Sequence, residues 1–225
     1  MMKKAILSVG FLREEDAVSA LQAEITAAFP GHVTLYTDIA SAAQTLCDLQ
    51  AQQVEHLTVL PVLLLPGVEY ENLCRIVAEY RPLFRTVTVA RPLLSSWEDI
   101  QRLSEILLDE YPTKNVILVG HGSSHFAGIV YPALAHLLLP SRMFLGVLSG
   151  YPDFTAVKGR LLQEQISQVT LVPLMLFAGR HVKKDLTACW KPQLEAAGIQ
   201  AILLPQGLLA QAAIRSLFLR HVGGN

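Results

Sequence analysis

With 225 residues, 52% of them apolar and only 16% charged, the chain has ample length to bury a core and is too apolar to be disordered. Its formal net charge of −1 excludes a general basic field for nucleic acid. The three cysteines, Cys47, Cys74 and Cys189, lie far apart with no C-x-x-C pair, so neither a disulfide framework nor a cysteine zinc site is expected.

The chain begins MMKKAILSVGFLREED. Its short apolar stretch is interrupted by Gly10 and then meets Arg13-Glu14-Glu15-Asp16, with no small-residue cleavage site. This reads as a first buried strand rather than a secretory signal. No apolar run reaches about 18 residues, so no membrane span is expected and the cytoplasm is the default compartment.

Strand candidates then follow in two sets. The first comprises AILSV (5–9), VTLYT (33–37), HLTVLPVLLL (56–65) and TVTVA (86–90). The second comprises NVILVG (115–120), MFLGVLS (143–149), VTLVPLMLF (169–177) and IQAILL (199–204). Helical patterns alternate with them, as expected for repeating β and α units. One spans 16–28, with Val18, Leu21, Ile25 and Ala28 on one face and Pro30-Gly31 ending it. Another spans 96–111, with Ser96 as N-cap and Pro112 beyond its end.

Adding 112 to the residue number lays the first set over the second. Thr58 then meets Thr170, Pro61 meets Pro173, Gly67 meets Gly179, and Gly10 meets Gly122. One offset serving several strands implies an α/β protein of two similar lobes, 1–112 and 113–225. Each lobe is expected to be a four-stranded parallel sheet flanked by helices. In such sheets ligands bind beyond the carboxyl ends of the strands, so the active cleft is expected between the lobes.

The residues at those strand ends carry the chemistry. Ile117 to His125 reads ILVGHGSSH, an apolar run ending in an imidazole between two glycines. His181 follows the seventh strand, and the offset puts Glu69 in its place in the first lobe. Two histidines and a glutamate from three strand ends suit a borderline divalent ion such as Co²⁺, Ni²⁺, Fe²⁺ or Zn²⁺, and imidazole exchanges protons near neutrality. A phosphate loop at Gly120-His121-Gly122 is the other reading, although both familiar phosphate-binding spacings are missing. His125 reads as an outer residue or a solvated one, His136 as structural, and His221 as a cation near a helix C-terminus. Arg13 and Arg180 are the cations best placed for substrate carboxylates. Tyr70, Tyr151 and Phe177 are candidates for packing against a ligand or for the core.

The segments VGHGSSH, SGYPD, LVPLMLFAGRHVKKD and LPGVEYENL together resemble the anaerobic-type (CbiK-like) sirohydrochlorin cobaltochelatases, class II chelatases of ferrochelatase-like fold. The resemblance implies ATP-independent insertion of Co²⁺ into a sirohydrochlorin-type tetrapyrrole in cobalamin biosynthesis, with Ni²⁺ or Fe²⁺ as alternative metals and no organic cofactor. It implies His121 and His181 as metal and proton residues, with Glu69 assisting catalysis. Gly10, Arg13, Gly122, Ser123, Ser149 and Arg180 are then expected to line the tetrapyrrole. Ser149 stands where such enzymes carry a glutamate, which makes a non-catalytic tetrapyrrole or haem carrier the alternative function. The high apolar content leaves room for a homo-oligomer.

Overall fold

The computed structural model describes residues 2–11, 15–112, 115–177, 179, 184 and 186–223. Arg13, Arg180 and His181 therefore lie outside the described residues. The chain divides into two compact units, Met1–Ser95 with Gln211–Asn225, and Ser96–Ala210.

The first unit is built on β1 (Lys4–Gly10), β2 (His32–Asp38), β3 (His56–Pro61) and β4 (Thr86–Val89), all parallel in the order β2-β1-β3-β4. Helices α1 (Glu15–Ala28), α2 (Ala42–Ala51) and α3 (Val68–Tyr80) connect them. The central strand β1 is buried from Ala5 to Gly10, as expected for a strand covered on both faces. Leu7, Val9, Leu46, Leu49, Val59 and Leu73 form the core beneath α2 and α3. On α1 the buried residues are Ala17, Leu21 and Ile25, a strict i, i+4, i+8 stripe. Val18 is only half-buried and Ala28 is exposed, so the buried face is rotated from the one expected.

The second unit repeats the plan. It comprises α4 (Trp97–Glu110), β5 (Val116–Gly122), α5 (Val130–Leu137), β6 (Met143–Ser149), α6 (Phe154–Gln163), β7 (Gln168–Pro173), α7 (Lys191–Ala196) and β8 (Gln200–Leu203). The sheet order β6-β5-β7-β8 is the same as in the first unit, and again parallel. Ile117, Val119, Phe144, Val157, Leu171 and Trp190 sit in its core.

The units do not follow the 1–112 and 113–225 halves of the sequence. Helix α4 falls in the second unit, where it packs on α5, and the final helix α8 (Ala212–Val222) falls in the first, against α1 and β3. An Arg215–Glu24 ion pair at 2.7 Å and a 2.9 Å hydrogen bond between His221 Nδ1 and the Arg91 carbonyl hold α8 there. His221 is thus a buried contact of the first unit, made from the last turn of its helix.

Two strands are shorter than their apolar runs. β3 and β7 end at Pro61 and Pro173, where the missing N–H interrupts the ladder. The chain then continues as buried extended loop. Val62 N–H donates to the Val9 carbonyl at 2.7 Å, and Leu174 N–H to the Val119 carbonyl at 2.9 Å. Further on, Leu93 and Leu94 N–H groups donate to the Leu63 and Leu64 carbonyls, just as Leu208 and Leu209 do to Met175 and Leu176. Backbone polar groups are thereby satisfied without a longer strand.

The register is the same in both units: Val9 pairs with Pro61 and Val119 with Pro173. The third strands keep the offset of 112, whereas the central strands match at 110, so the counterpart of Gly10 is Gly120 and not Gly122. The stretch from Val119 to Pro173 is two residues longer than that from Val9 to Pro61, and β5 runs two residues further past this pair than β1 does. Its last three residues, Gly120 to Gly122, lie beyond the last pair with β7 and run alongside β6. Among the described residues no helix is long and apolar enough to cross a membrane.

Ser96 caps α4 as its sequence implies. Its hydroxyl accepts from Asp99 N–H at 3.1 Å and donates to Asp99 Oδ2 at 2.7 Å. Ser96→Ala removes both bonds, and we expect a loss of about 1–2 kcal/mol in the urea-unfolding free energy. An unchanged midpoint and slope would show that the cap contributes nothing.

Candidate functional site

His121 is the exposed penultimate residue of an otherwise buried strand. Side chains alternate along β5 and β6, and two glycines report which face is which. A Cβ at Gly146 would meet Trp190 and Val157, on the α6 side. One at Gly120 would meet the Tyr131 ring at 2.5 Å, on the α5 side. His121 belongs to the first of these faces. Ser149, paired with Gly122, belongs to the second. A ligand touching both must therefore sit past the strand ends rather than on either face.

Gly122 makes the tightest contact of the site. Its φ is +86°, and a Cβ built on it would lie 1.7 Å from the Ser149 carbonyl oxygen. Only glycine permits both that conformation and that approach. The following loop is held in the same way. A Cβ at Gly128 would fall 2.8 Å from the Ser123 carbonyl, and Gly150, at φ +109°, lies beside the same carbonyl. Gly122, Ser123 and Ser149 are thus brought together in one strand-end cluster with His121.

His125 has a local job. Its Nδ1 accepts the Ala127 N–H at 3.1 Å and so caps the 3₁₀ turn Phe126–Ile129. A ring nitrogen used as acceptor carries no proton, which fixes the tautomer at that turn. His136 is exposed on α5 rather than buried in it. It lines a cavity of about 260 Å³ on the flank of edge strand β6, with Phe144, Tyr151, Pro152, Val157 and Arg160. That volume falls short of the ~300–1,000 Å³ typical of pockets that enclose an organic ligand.

Tyr131 is a site residue that sequence reasoning missed, because it lies in an apolar helical run that reads as core. It is 3% exposed, its ring fills the space a side chain at 120 would need, and its hydroxyl forms a hydrogen bond with the backbone of Gly122. Burial raises its pKa, against the opposing pull of that hydrogen bond, so the phenol stays neutral. Tyr131 thereby braces the residues on either side of His121.

In the first unit, Gly10 ends β1 beside Asp38. A Cβ there would lie 2.5 Å from the Tyr36 hydroxyl and 2.9 Å from the Val62 carbonyl. The Tyr36 hydroxyl in turn donates to the Phe11 carbonyl at 3.0 Å. The close approach that Gly10 allows is thus occupied by the protein's own side chain. Burial, with Asp38 nearby, raises the Tyr36 pKa. Glu69 is exposed in the first turn of α3, near its N-cap Gly67, where negative charge is favoured. Tyr70 is half-buried, and burial together with a hydrogen bond to Cys74 pushes its pKa up to about 12. Phe177 is core. Among the described residues no three His, Cys, Asp or Glu side chains form a ready metal cage.

Comparison with known proteins shows what the chain is similar to. The family model for cobalt chelatase (CbiK) matches residues 24–224. A sirohydrochlorin cobaltochelatase of Salmonella typhimurium is 35% identical over 195 residues, covering 82% of this chain and 74% of that one. The sirohydrochlorin cobaltochelatase CbiKC of Nitratidesulfovibrio vulgaris is 28% identical, covering 81% and 69%. Among solved structures, SirB from Bacillus subtilis with Fe³⁺ shares the fold, with a TM-score of 0.70 at 21% identity, covering 99% of this chain and 95% of that one.

Two glycine substitutions test the strand-end geometry. Gly122→Ala should cost about 2 kcal/mol or more, since it sets a methyl group on the Ser149 carbonyl at positive φ. Gly159→Ala, in open space on α6, should instead gain about 0.5–1 kcal/mol. Chemical denaturation of both variants reads the two signs, and a neutral Gly122→Ala would refute the contact.

Proposed function

This chain belongs to the cobalt chelatase (CbiK) family, and from that membership we propose that it inserts divalent cobalt into sirohydrochlorin without ATP or an organic cofactor. The reaction exchanges two pyrrole N–H bonds for bonds from nitrogen to the metal and releases two protons. No electron changes hands, and chelation by four nitrogens supplies the driving force, so no phosphate bond needs to be broken.

The observation that carries the reading is His121. It is an exposed imidazole held at the free end of a buried strand, in a segment that the backbone fixes through Gly122 and Tyr131. Neutral imidazole offers a lone pair suited to borderline ions such as Co²⁺. One nitrogen cannot hold the ion and a proton together. A metal-bound His121 therefore needs a second group to receive the pyrrole protons, and we assign that work to His181 and Glu69. Ser149 contributes an exposed hydroxyl, a weak ligand for such an ion, so it leaves coordination positions open for the incoming macrocycle. Gly122 and Ser123 belong to the strand-end cluster beside His121, and we assign them to the tetrapyrrole together with Arg13 and Arg180, the arginines to its carboxylates.

Purified protein mixed with sirohydrochlorin and Co²⁺ should show the absorbance change of metallation well above the rate without protein. His121→Ala should slow it by about 10²-fold or more, the scale of one positioned acid–base or ligand group. Tight tetrapyrrole binding with no acceleration would make the chain a carrier, and an unaltered His121→Ala rate would remove His121 from the reaction.

A further inference from the structure

Three large apolar side chains stand out on the loops that leave β5 and β6. Phe126 is 82% exposed, Ile129 is 56% exposed and Tyr151 is 67% exposed. They do not sit on loosely placed chain. Phe126 and Ile129 bracket Gly128, which packs on the Ser123 carbonyl, and Tyr151 follows Gly150, which lies beside that same carbonyl. The turn carrying the first two is closed by Gly128 N–H donating to the His125 carbonyl at 2.8 Å and by the His125 side-chain cap. The loop carrying Tyr151 is tied back by Val147 N–H donating to the Pro152 carbonyl at 2.8 Å. The glycine contacts that set His121 in place therefore set these three side chains in place as well.

We propose that Phe126, Ile129 and Tyr151 form an apolar rest for the macrocycle, receiving the flat ring at the strand end that presents His121. The inference rests on the chelatase reading and adds the residues that hold the substrate before metal arrives. A conjugated ring is flat and apolar on both faces, and its charged carboxylates lie on the rim. Aromatic and branched aliphatic side chains on a preorganised loop suit such a face, because burial is gained without ordering the loop. Among the described residues of the unit these three are the most exposed large apolar side chains, ahead of Trp97, Leu139, Leu162 and Ile202, and all three stand on loops that leave the strand end, which ties them to the site.

The test measures metal-free sirohydrochlorin binding by absorbance titration, alongside steady-state insertion of Co²⁺. The double variant Phe126→Ser/Ile129→Ser should weaken binding by about tenfold or more and raise KM in step, with kcat changed less than threefold. Phe126→Leu should recover most of the affinity. Because both side chains are exposed, thermal unfolding of the double variant should match the parent. If the parent neither binds nor metallates sirohydrochlorin, the chelatase reading itself fails. If the parent binds and the double variant binds equally well, the apolar rest is refuted. If sedimentation shows that the double variant alters self-association and leaves sirohydrochlorin affinity intact, the patch is a contact between copies and the proposal is overturned.

Discussion

The meeting of Gly122 with the carbonyl of Ser149 is the constraint on which the second unit's strand end depends. No side chain fits there, and the backbone takes a conformation that L-residues avoid. Because the end of β5 lies directly on the end of β6, His121 is fixed as a strand residue although β7 has already stopped beside it. The loops that follow are gathered onto Ser123 by two more glycines. Among the described residues, rigidity in this region comes from close backbone approach. That leaves the side chains at the strand end free for a ligand.

The two units show how one fold produces an open strand end and a closed one. Their sheets share strand order and direction, and their third strands keep the same numerical offset. What differs at the top is the length of the central strand, since β5 runs two residues further past its last pair with β7 than β1 does past its last pair with β3. In the first unit the central strand ends at Gly10, under the Tyr36 hydroxyl and the Val62 carbonyl. In the second, the counterpart by register is Gly120, covered by the Tyr131 ring, and the chain runs on for His121 and Gly122. Each unit thus places a tyrosine over a central-strand glycine, and in the second a titratable residue of the strand extends past that cover. The extension begins beyond the last pair with β7 and leaves the register of the buried residues unchanged, so it disturbs none of the core packing.

Much of this was readable in the sequence. Eight strands, their parallel pairing, the Ser96 cap and the unusual end at Gly120-His121-Gly122 follow from apolar runs, turn residues and capping chemistry. The end of β6 at Ser149 coincides with the expected one. What periodicity does not encode is register. A single offset of 112 aligns the third strands, but the central strands match at 110, which makes Gly120 the counterpart of Gly10 and leaves His121 beyond it. Apolar runs also overstate β3 and β7, since a buried loop that satisfies its backbone bonds elsewhere is as hydrophobic as a strand. Tyr131 was illegible because its ring is core and only its hydroxyl reaches the site. The placement of α4 and α8 was equally hidden, since an amphipathic stripe says that a helix packs but not on which sheet.

The histidines show what structure adds to a motif. By sequence His121 and His125 lie four residues apart, the first a metal candidate and the second an outer or solvated residue. The structure separates them by their hydrogen bonds. His125 Nδ1 is committed to the Ala127 N–H, so that nitrogen serves the turn. His56 hydrogen-bonds Thr86 at 2.7 Å, His221 bonds the Arg91 carbonyl, and His32 stands edge-on to Phe29. At His121 the Gly122 carbonyl lies 3.4 Å from Nδ1, too long to bind the ring firmly. An imidazole with only a weak internal bond, held by rigid backbone and open to solvent, loses little when it turns its lone pair to an ion. For an ion that must later be surrendered to four pyrrole nitrogens, a preorganised but weakly committed ligand serves better than a complete cage. A closed set of strong ligands would hold cobalt too tightly to release it to the macrocycle.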